Sequence, residues 1–316
     1  MNSSHLSIAG KVFLLGEYAV LMGLPALVAT VGPRFQMKVS LSPSWQDSRR
    51  AWPERSPVGR LLQWAEFQGV EPLAFEFLDP LQGAGGLGAS TAQFAMAYQA
   101  ISQSQEEEGS TVHPRRWPQV LRLYRELMSD EPIIPSGADL VAQWQGGVTF
   151  FDPSQNFAQD VWALLGTLPF IIFSTTATHS QRKVPTHEHL RDLAERGILK
   201  MDSPLVSALK SHLMQAMSAL EERDFQSFAQ AFQSYGNTLG QYDLETQATR
   251  EDKKVLLHLP DVLAVKGAGA LQSDGIIVLM KPGSLSHDHV IEAAQERGLT
   301  LLVDGLTCQM GVSCPV

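Results

Sequence analysis

The chain has 316 residues, of which 44% are hydrophobic and 18% are charged, a composition typical of a globular protein with a sizeable core and not of a disordered segment. Its formal net charge of -9 provides no basic surface for the phosphate backbone of nucleic acid, so we do not expect a nucleic-acid partner. The length corresponds to one large domain or two ordinary ones.

Cysteine usage and hydropathy indicate a cytoplasmic protein without a membrane segment. The two cysteines, Cys308 and Cys314, fit a reducing compartment, although a local disulfide between them stays open. The longest apolar stretch, residues 161–178, approaches the length of a membrane span but is interrupted by Gly166 and Pro169. We interpret it as one or two buried strands. The N-terminus has no cationic region of the kind that opens a signal peptide.

Apolar spacing, together with the positions of glycine and proline, predicts the elements in chain order. In the first part we predict a strand–turn–strand over 8–29, a strand over 36–42, a polar loop over 44–55, a helix over 58–67, a strand over 73–78, helices over 90–103, 117–128 and 140–144, and a strand over 148–151. In the second part we predict helices over 187–196, 204–222 and 225–239, strands from 262 onward including 275–281, a helix over 287–297 and a strand over 300–303. The closing strand–helix–strand order indicates a separate α/β C-terminal domain.

A glycine-rich loop, Gly83–Ala89, leads into the predicted helix over 90–103. Glycines let backbone N–H groups approach an anion, and a helix N-terminus adds partial positive charge, so the loop predicts a phosphate site. It lacks the Gly-Lys-Ser/Thr of a Walker loop, and its dinucleotide-type glycine spacing is not followed by an acidic residue after a second strand. The alternative is a flexible turn capped by Ser90 or Thr91.

Four segments of the chain resemble the signatures of the GHMP kinases, in the same order and at similar spacing. The first, GKVFLLGEYAV from Gly10, resembles the strand that carries a lysine before a glycine–glutamate turn. GLGAS from Gly86 resembles the phosphate loop GLGSS, and PSGAD from Pro135 resembles the PSGxD motif of mevalonate kinases. KGAGA from Lys266 resembles the third signature, KxxGAGGG.

The resemblance implies a two-domain α+β fold with ATP and an acceptor in the cleft between the domains. We expect an N-terminal ATP-binding domain over 1–170 and a C-terminal domain over 171–316. It also implies phosphoryl transfer from ATP to a small-molecule hydroxyl with Mg²⁺. Homodimers are common among such kinases, and the resemblance leaves a homodimer open.

The resemblance assigns the catalytic pair to Asp139 and Lys11. Asp139 would be the general base that faces the acceptor hydroxyl, and Lys11 would lower the pKa of that hydroxyl or stabilise the transferring phosphoryl group. Without the motifs, the alternatives are a turn or N-cap aspartate and a solvent-facing lysine.

The remaining site residues follow from the same motifs. ATP phosphates would be bound by Gly85, Gly86, Leu87, Gly88, Ala89, Ser90 and Thr91. The acceptor would be bound by Glu17, Tyr18, Ser136, Gly267, Ala268 and Gly269. Arg182 and Lys183 would either add polar contacts to the acceptor or belong to a basic loop on the surface. Mg²⁺ would be bound by Ser90 and Glu126, and Glu131 is the alternative to Glu126. Without the motifs, both glutamates would be interpreted as solvated carboxylates on a helix surface.

Two departures from the signatures bear on activity and substrate. Ala89 replaces a serine of the phosphate loop but leaves the backbone donors, and residues 270–274 replace glycines of the third signature. Tyr18, after the glycine–glutamate turn, resembles the residue that phosphomevalonate kinases have at that place. The stretch 79–91, however, has no Lys or Arg that could bind the phosphate of a phosphorylated acceptor. We therefore expect mevalonate as acceptor. Two alternatives stay open: the acceptor is phosphomevalonate, or the chain is a catalytically silent GHMP-fold protein that binds a nucleotide or metabolite.

Overall fold

Two antiparallel sheets organise the chain. The computed structural model describes residues 4–313 apart from 82, 84–85, 106–116, 167, 176–192, 194, 198–199, 201, 269–274, 285 and 309–310. The strands are β1 (Ser4–Leu15), β2 (Ala26–Leu41), β3 (Leu73–Leu78), β4 (Val148–Asp152), β5 (Phe157–Asp160), β6 (Phe170–Ser174), β7 (Val262–Ala268), β8 (Gly275–Met280) and β9 (Thr300–Asp304).

The helices cover the sheets and connect their strands. They are α1 (Trp45–Arg49), α2 (Pro57–Phe67), α3 (Ala89–Gln105), α4 (Trp117–Leu127), α5 (Ala138–Gln145), α6 (Trp162–Leu165), α7 (Pro204–Glu221), α8 (Phe225–Gln241), α9 (Gln247–Leu257) and α10 (Asp288–Glu296), and a 3-10 turn spans Ala19–Met22. None of the helices among the described residues combines the length and apolar character that crossing a membrane requires.

The first sheet is built on the long antiparallel pair β1 and β2. On its other edge β2 pairs with β3 along one half and with β4 along the other, and β4 pairs with β5. From Leu6 to Leu15 nearly every residue of β1 is buried. Burial on alternating sides of a strand requires cover on both faces of the sheet. Helices α3 and α5 pack against β1 and β2 and against each other, so they contribute part of that cover together.

The second sheet has the strand order β7-β8-β6-β9. Its side chains alternate between two cores, as expected for a strand period of two. Ile171 and Phe173 pack in a core with Leu256 of α9 and Val290 of α10, whereas Ile172 belongs to the larger core shared with the first sheet. The sheet therefore lies between the helices α9 and α10 on one side and the rest of the protein on the other.

Strands β8 and β9 both run antiparallel to β6, which lies between them, so they are parallel to each other and connected through α10. The predicted closing strand–helix–strand unit is therefore confirmed, in the split form in which a third strand is inserted. After β9 the chain returns to the first sheet. Ser313 exchanges backbone hydrogen bonds of 2.8 and 2.9 Å with Ser7, and Arg34 bonds the carbonyl oxygens of Ser7 and Gly311 at 2.7 Å each.

Two predictions were wrong in their local detail. The loop predicted over 44–55 contains the short helix α1, because the Ser44 hydroxyl caps its N-terminus and Trp45 is buried with its indole N–H bonded to the Val70 carbonyl at 3.0 Å. The stretch 161–178 begins with helix α6 instead of a strand, and only its second part forms the predicted buried strand, β6. Most of the helix predicted over 187–196 lies outside the described residues.

Candidate active site

Lys11 lies on β1 directly beside the glycine-rich loop. Its backbone N–H donates to the Leu87 carbonyl at 2.9 Å, and its Nζ donates to the Gly86 carbonyl at 3.0 Å. The side chain is 7% exposed and its ammonium lies 4.8 Å from the centroid of the Phe13 ring. Lys11 is therefore not the solvent-facing lysine of the alternative interpretation, because two polar contacts fix it against the loop.

Glycine is required at position 88 for two independent reasons. The backbone φ of Gly88 is +84°, a conformation that residues with a side chain rarely adopt. A Cβ atom there would also lie 2.8 Å from Cγ and 3.0 Å from Cε of Lys11. The loop thus approaches the lysine closely only because residue 88 has no side chain. Gly86, with φ +81°, adopts the same left-handed conformation, and Gly85 lies outside the described residues.

Helix α3 begins immediately after this glycine. The Gly88 carbonyl accepts the first helical hydrogen bond, from the Ala92 N–H at 2.9 Å, so Ala89, Ser90 and Thr91 form the first turn. Backbone N–H groups of a first turn have no partners within the helix and attract anions. Ser90 is exposed there, whereas Thr91 is buried and its hydroxyl donates to Gln143 Oε1 at 2.6 Å. Thr91 could therefore contact a phosphate only through its backbone N–H.

Asp139 lies in the first turn of α5, where a negative charge is favoured by the helix dipole. It does not cap the helix, because the N-cap position belongs to Gly137, with φ +75°. A side chain at 137 would meet Leu121 Cδ1 at 2.1 Å, which explains the glycine of the PSG turn. Asp139 is half-buried, and in the described part of the chain it has no ion-pair partner.

Helix α4 supports the turn that carries Asp139. Arg125 donates to the Ser136 carbonyl at 2.5 Å, and the Ser136 hydroxyl accepts the Ala138 N–H at 3.3 Å. Tyr124 is buried beside the turn, and burial raises the pKa of its hydroxyl, with a smaller contribution in the same direction from the Asp139 charge. Ser136 thus acts in building the turn, and Asp139 lies near enough to Tyr124 to influence it electrostatically.

Gln143 connects the three predicted parts of the site. Its side chain is fully buried one helical turn after Asp139. Its Nε2 donates to the Ala9 carbonyl of β1 at 2.9 Å and to the Gly88 carbonyl at 3.3 Å, while its Oε1 accepts the Thr91 hydroxyl. Residues four apart on a helix lie on the same face, about 6 Å apart. The lysine strand, the glycine loop and the aspartate helix therefore meet around one amide, which the sequence motifs did not single out.

Glu17 and Tyr18 follow β1 and are both buried. Glu17 forms an ion pair with Lys266 of β7, so it lies where the two sheets meet. Burial raises the pKa of the Glu17 carboxyl, an effect that the charges of Lys266 and, more weakly, Lys11 oppose. Tyr18 has φ 60°, an uncommon backbone conformation for a bulky side chain. Gly267 and Ala268 end β7 beside this pair, and Gly269 lies outside the described residues.

The predicted Mg²⁺ ligands have different surroundings. Ser90 presents an exposed hydroxyl at the helix N-terminus, whereas Glu126 is exposed on α4 and Glu131 bonds Arg60 at 2.6 Å. The described residues contain no cluster of three or more acidic, histidine or cysteine side chains. Kinase Mg²⁺ ions are bound mainly by phosphate oxygens, waters and one or two protein ligands, so such a cluster is not needed. The Ser90 hydroxyl is an oxygen ligand that fits this arrangement, and the glycine loop with Lys11 fits a nucleotide phosphate.

Neither a family model nor a curated protein matches the sequence. Solved structures do match in fold. Streptococcus pneumoniae phosphomevalonate kinase in complex with phosphomevalonate and AMPPNP is similar with a TM-score of 0.74 and 16% identity, over 97% of this chain and 100% of that chain. Lactococcus lactis galactokinase in complex with galactose is similar with a TM-score of 0.74 and 11% identity, over 99% of this chain and 95% of that chain.

Methanococcus jannaschii mevalonate kinase gives a TM-score of 0.72 at 12% identity, over 96% of this chain and 98% of that chain. All three relationships extend over nearly the whole of both chains, while the identities are low. The chain therefore has the two-domain α+β fold of the GHMP kinases, and the resemblance inferred from the four motifs is confirmed at the level of the fold.

Proposed function

We propose that this chain, which has the GHMP kinase fold, is an ATP-dependent kinase that phosphorylates a small-molecule hydroxyl and that its acceptor is mevalonate. The observation that carries the proposal is the meeting of Lys11, the glycine loop and the Asp139 helix around Gln143. Each of these parts was identified from a separate sequence motif. Their convergence is what phosphoryl transfer requires, since that reaction depends mainly on positioning and charge neutralisation.

In this mechanism the loop and the first turn of α3 bind the phosphates of ATP through backbone N–H groups. Lys11, held against the Gly86 carbonyl, provides a positive charge beside them. Asp139 accepts the proton of the acceptor hydroxyl as that oxygen attacks the terminal phosphate. Ser90 and Glu126 would hold Mg²⁺, whose charge would neutralise that of the phosphates.

The charge around the loop supports mevalonate over a phosphorylated acceptor. The stretch 79–91 contains no Lys or Arg, and the Asp79 carboxylate accepts the N–H groups of Leu81 and Gly83 at 2.8 Å each. The entrance of the loop therefore carries a negative charge, which disfavours a second phosphate nearby. Tyr18 resembles the residue that phosphomevalonate kinases have after the glycine–glutamate turn, so phosphomevalonate is the second acceptor to test.

A nucleotide- or metabolite-binding protein without kinase activity is a separate candidate. It is favoured by the third signature, in which residues 270–274 depart from the glycine pattern, and by the exposed position of Glu126. Side chains at 270–274 in place of glycines would change how that turn closes over the phosphates without disturbing the fold. Such a protein would bind Mg-ATP with no acceptor-dependent turnover.

The test is a coupled ADP-release assay on the purified protein with Mg-ATP and, separately, mevalonate, phosphomevalonate, galactose and other small alcohols. We expect turnover that depends on mevalonate. Turnover only with phosphomevalonate or another alcohol would keep the kinase class and replace the acceptor. Nucleotide binding by calorimetry without turnover on any acceptor would favour the non-catalytic candidate.

A further inference from the structure

After β9 the chain leaves the second sheet and returns to the first. We call residues 305–308 and 311–313 the return segment. It starts at Gly305, whose N–H donates to a carbonyl of β6 at 2.8 Å, and it reaches Ser313, which exchanges two backbone hydrogen bonds with Ser7 of β1. The return segment therefore joins the second sheet to the strand that carries the candidate catalytic lysine.

Strand β1 lies at the edge of the first sheet, and three contacts hold the side of it that β2 does not cover. The N–H and carbonyl of Ser7 bond Ser313 at 2.8 and 2.9 Å. The Ala9 carbonyl accepts the Gln143 amide at 2.9 Å, and the Lys11 N–H donates to the glycine loop at 2.9 Å. Backbone groups two residues apart on a strand face the same side of it. The return segment, helix α5 and the glycine loop thus follow one another along this edge.

The return segment also contacts the residues next to two side chains of the candidate site. Thr30 of β2 is fully buried and lies opposite the candidate lysine in the strand register. Its hydroxyl donates to the Thr307 carbonyl at 2.7 Å, and its carbonyl accepts the Thr307 N–H at 3.1 Å. A Cβ on Gly311 would lie 2.3 Å from the carbonyl oxygen of Trp144, which directly follows Gln143 in α5. The segment is therefore packed against both β2 and the end of α5.

Arg34 of β2 clamps the return segment to β1. Its Nη2 donates to the carbonyls of Ser7 and Gly311 at 2.7 Å each, and its Nε donates to the Ser7 hydroxyl at 3.0 Å. The guanidinium is half-buried and, in the described part of the chain, has no carboxylate partner. By contrast, two buried lysines at the second sheet each have one, in the pairs Lys266–Glu17 and Lys253–Glu245. Because a guanidinium is a planar fork of donors, Arg34 is suited to fixing two backbone segments relative to each other.

We propose that the return segment positions Lys11 and Gln143 for phosphoryl transfer, with Arg34 and Thr30 as its positioning residues. Neither of them touches ATP or the acceptor, and both act through the backbone of β1 and β2. Ser7 lies about 13 Å along the strand from Lys11, so loss of its contacts frees the edge from its N-terminal end toward the site. A misplacement of about 1 Å in a reacting group can lower a rate about 10²-fold. The inference rests on the proposed kinase function and extends its determinants beyond the four motifs.

Substitutions at two points of the return segment test the inference. Arg34→Met removes the clamp, and Gly311→Ala adds a methyl group that would collide with the Trp144 carbonyl. Both variants keep every residue that we propose to contact ATP, Mg²⁺ or the acceptor. We expect kcat to fall about tenfold in each, measured well below its unfolding temperature, with the KM for the acceptor within about twofold of wild type. Because both act through one segment, the double variant should lose almost no further kcat.

Hydrogen–deuterium exchange provides a second measurement that needs no turnover. In Arg34→Met the amides of β1 should exchange about tenfold faster than in wild type, because the edge contacts at Ser7 are lost. The amides of β7 and β8 in the second sheet should keep the wild-type exchange rate. Faster exchange of both sheets alike would indicate global destabilisation and would overturn the inference.

Two control variants separate positioning from stability. Arg250→Met removes an arginine that also bonds a backbone carbonyl, that of Gly240 at 3.1 Å, but lies on α9 at the second sheet. Val290→Ala removes two buried methyl groups from the core between the second sheet and α10, and should lower the unfolding temperature. Both controls should keep kcat within about twofold of wild type. If Val290→Ala lowered kcat as much as Arg34→Met, lost stability would explain the effect and the inference would be wrong.

Other outcomes also decide. An unchanged kcat in Arg34→Met, or losses that add fully in the double variant, would contradict positioning through one segment. Should either variant fail to fold, Thr30→Val takes its place, since it removes the hydroxyl bond to Thr307 and keeps the residue 30 N–H on the Gly147 carbonyl at 2.8 Å. A wild-type protein that turns over no acceptor would refute the proposed function. Turnover with a kcat indifferent to these substitutions would refute only this inference.

Discussion

The two sheets contribute buried polar networks of opposite character to the candidate site. In the first, around Gly88, the Gln143 amide and the Thr91 hydroxyl bond each other and backbone carbonyls, and Lys11, bonded to the Gly86 carbonyl, is its one charged group among the described residues. In the second, around Gly267, four charged side chains alternate in sign. The first network is held by directed hydrogen bonds at fixed distances, and the second depends on charge balance across the boundary between the sheets.

This difference predicts how each network responds to substitution. Removing a neutral group from the first network displaces the loop by a short distance, which affects chemistry more than folding. Removing one charge from the second leaves its partner buried and uncompensated, which lowers stability. Substitutions in the first network should therefore change turnover and nucleotide handling, and the following predictions test this from the largest effect to the smallest.

Asp139→Asn should have the largest effect on turnover. The amide is nearly isosteric but cannot accept the proton of the acceptor hydroxyl, so kcat should fall by about 10²- to 10⁴-fold while the Kd for Mg-ATP changes little. Steady-state kinetics and calorimetry measure the two quantities. Turnover close to wild type would remove Asp139 from the role of general base.

Gly88→Ala should disrupt the first network next most strongly, and Gly83→Ala is its matched control. Both glycines have positive φ, +84° and +79°, so both substitutions carry a similar backbone cost of roughly 1–2 kcal/mol. Only at position 88 does the new methyl group meet Lys11, while at 83 it meets no described atom within 4 Å. Gly88→Ala should therefore weaken Mg-ATP binding about 10- to 100-fold more than Gly83→Ala. Equal effects would show that the contact with Lys11 is unimportant.

Gln143→Met tests whether one amide joins the three parts of the site. Methionine keeps the shape but removes the amide that bonds the Ala9 carbonyl, whereas the Gly88 carbonyl keeps the Ala92 N–H and the Thr91 hydroxyl keeps the Gly88 carbonyl at 3.1 Å, so we expect a loss of about 1–3 kcal/mol of stability. We also expect kcat/KM to fall about tenfold, because the loop shifts relative to Asp139. Gln145→Met on the same helix, whose amide contacts only Thr149 among the described residues, at 3.3 Å, is the control and should change neither value appreciably.

The sequence predicted the parts of this site that are local in the chain. The strand over 73–78 and the helix over 204–222 agree with β3 and α7 to within a residue, because their apolar periodicity is regular. Lys11, the glycine loop and Asp139 were found because each lies in a short motif. The expected domain boundary near residue 170 stays a prediction, although the second sheet begins there with Phe170.

The parts that the sequence did not predict depend on distant contacts. The pair of Glu17 and Lys266 joins residues 249 positions apart, and nothing in either segment indicates the other. Gln143 resembles a solvated helix residue until the structure shows it buried. Helix α9 escaped prediction because its buried face includes Asp252 and Lys253, so the apolar periodicity that identifies a helix is missing. Buried polar residues are thus what sequence patterns detect least well.

Ser90→Ala should have the smallest effect and separates backbone from side-chain binding in the first network. The helix begins at Ala89 and its N–H groups persist in the variant, so phosphate binding through the backbone should remain. Loss of the hydroxyl would remove only the proposed Mg²⁺ ligand, so the KM for Mg-ATP should rise about two- to fivefold and the Mg²⁺ concentration needed for activity should increase. A titration of activity against free Mg²⁺ at fixed ATP measures that shift. If the requirement were unchanged, the metal would have no bond to Ser90, and the loop would bind phosphate through its backbone and Lys11 alone.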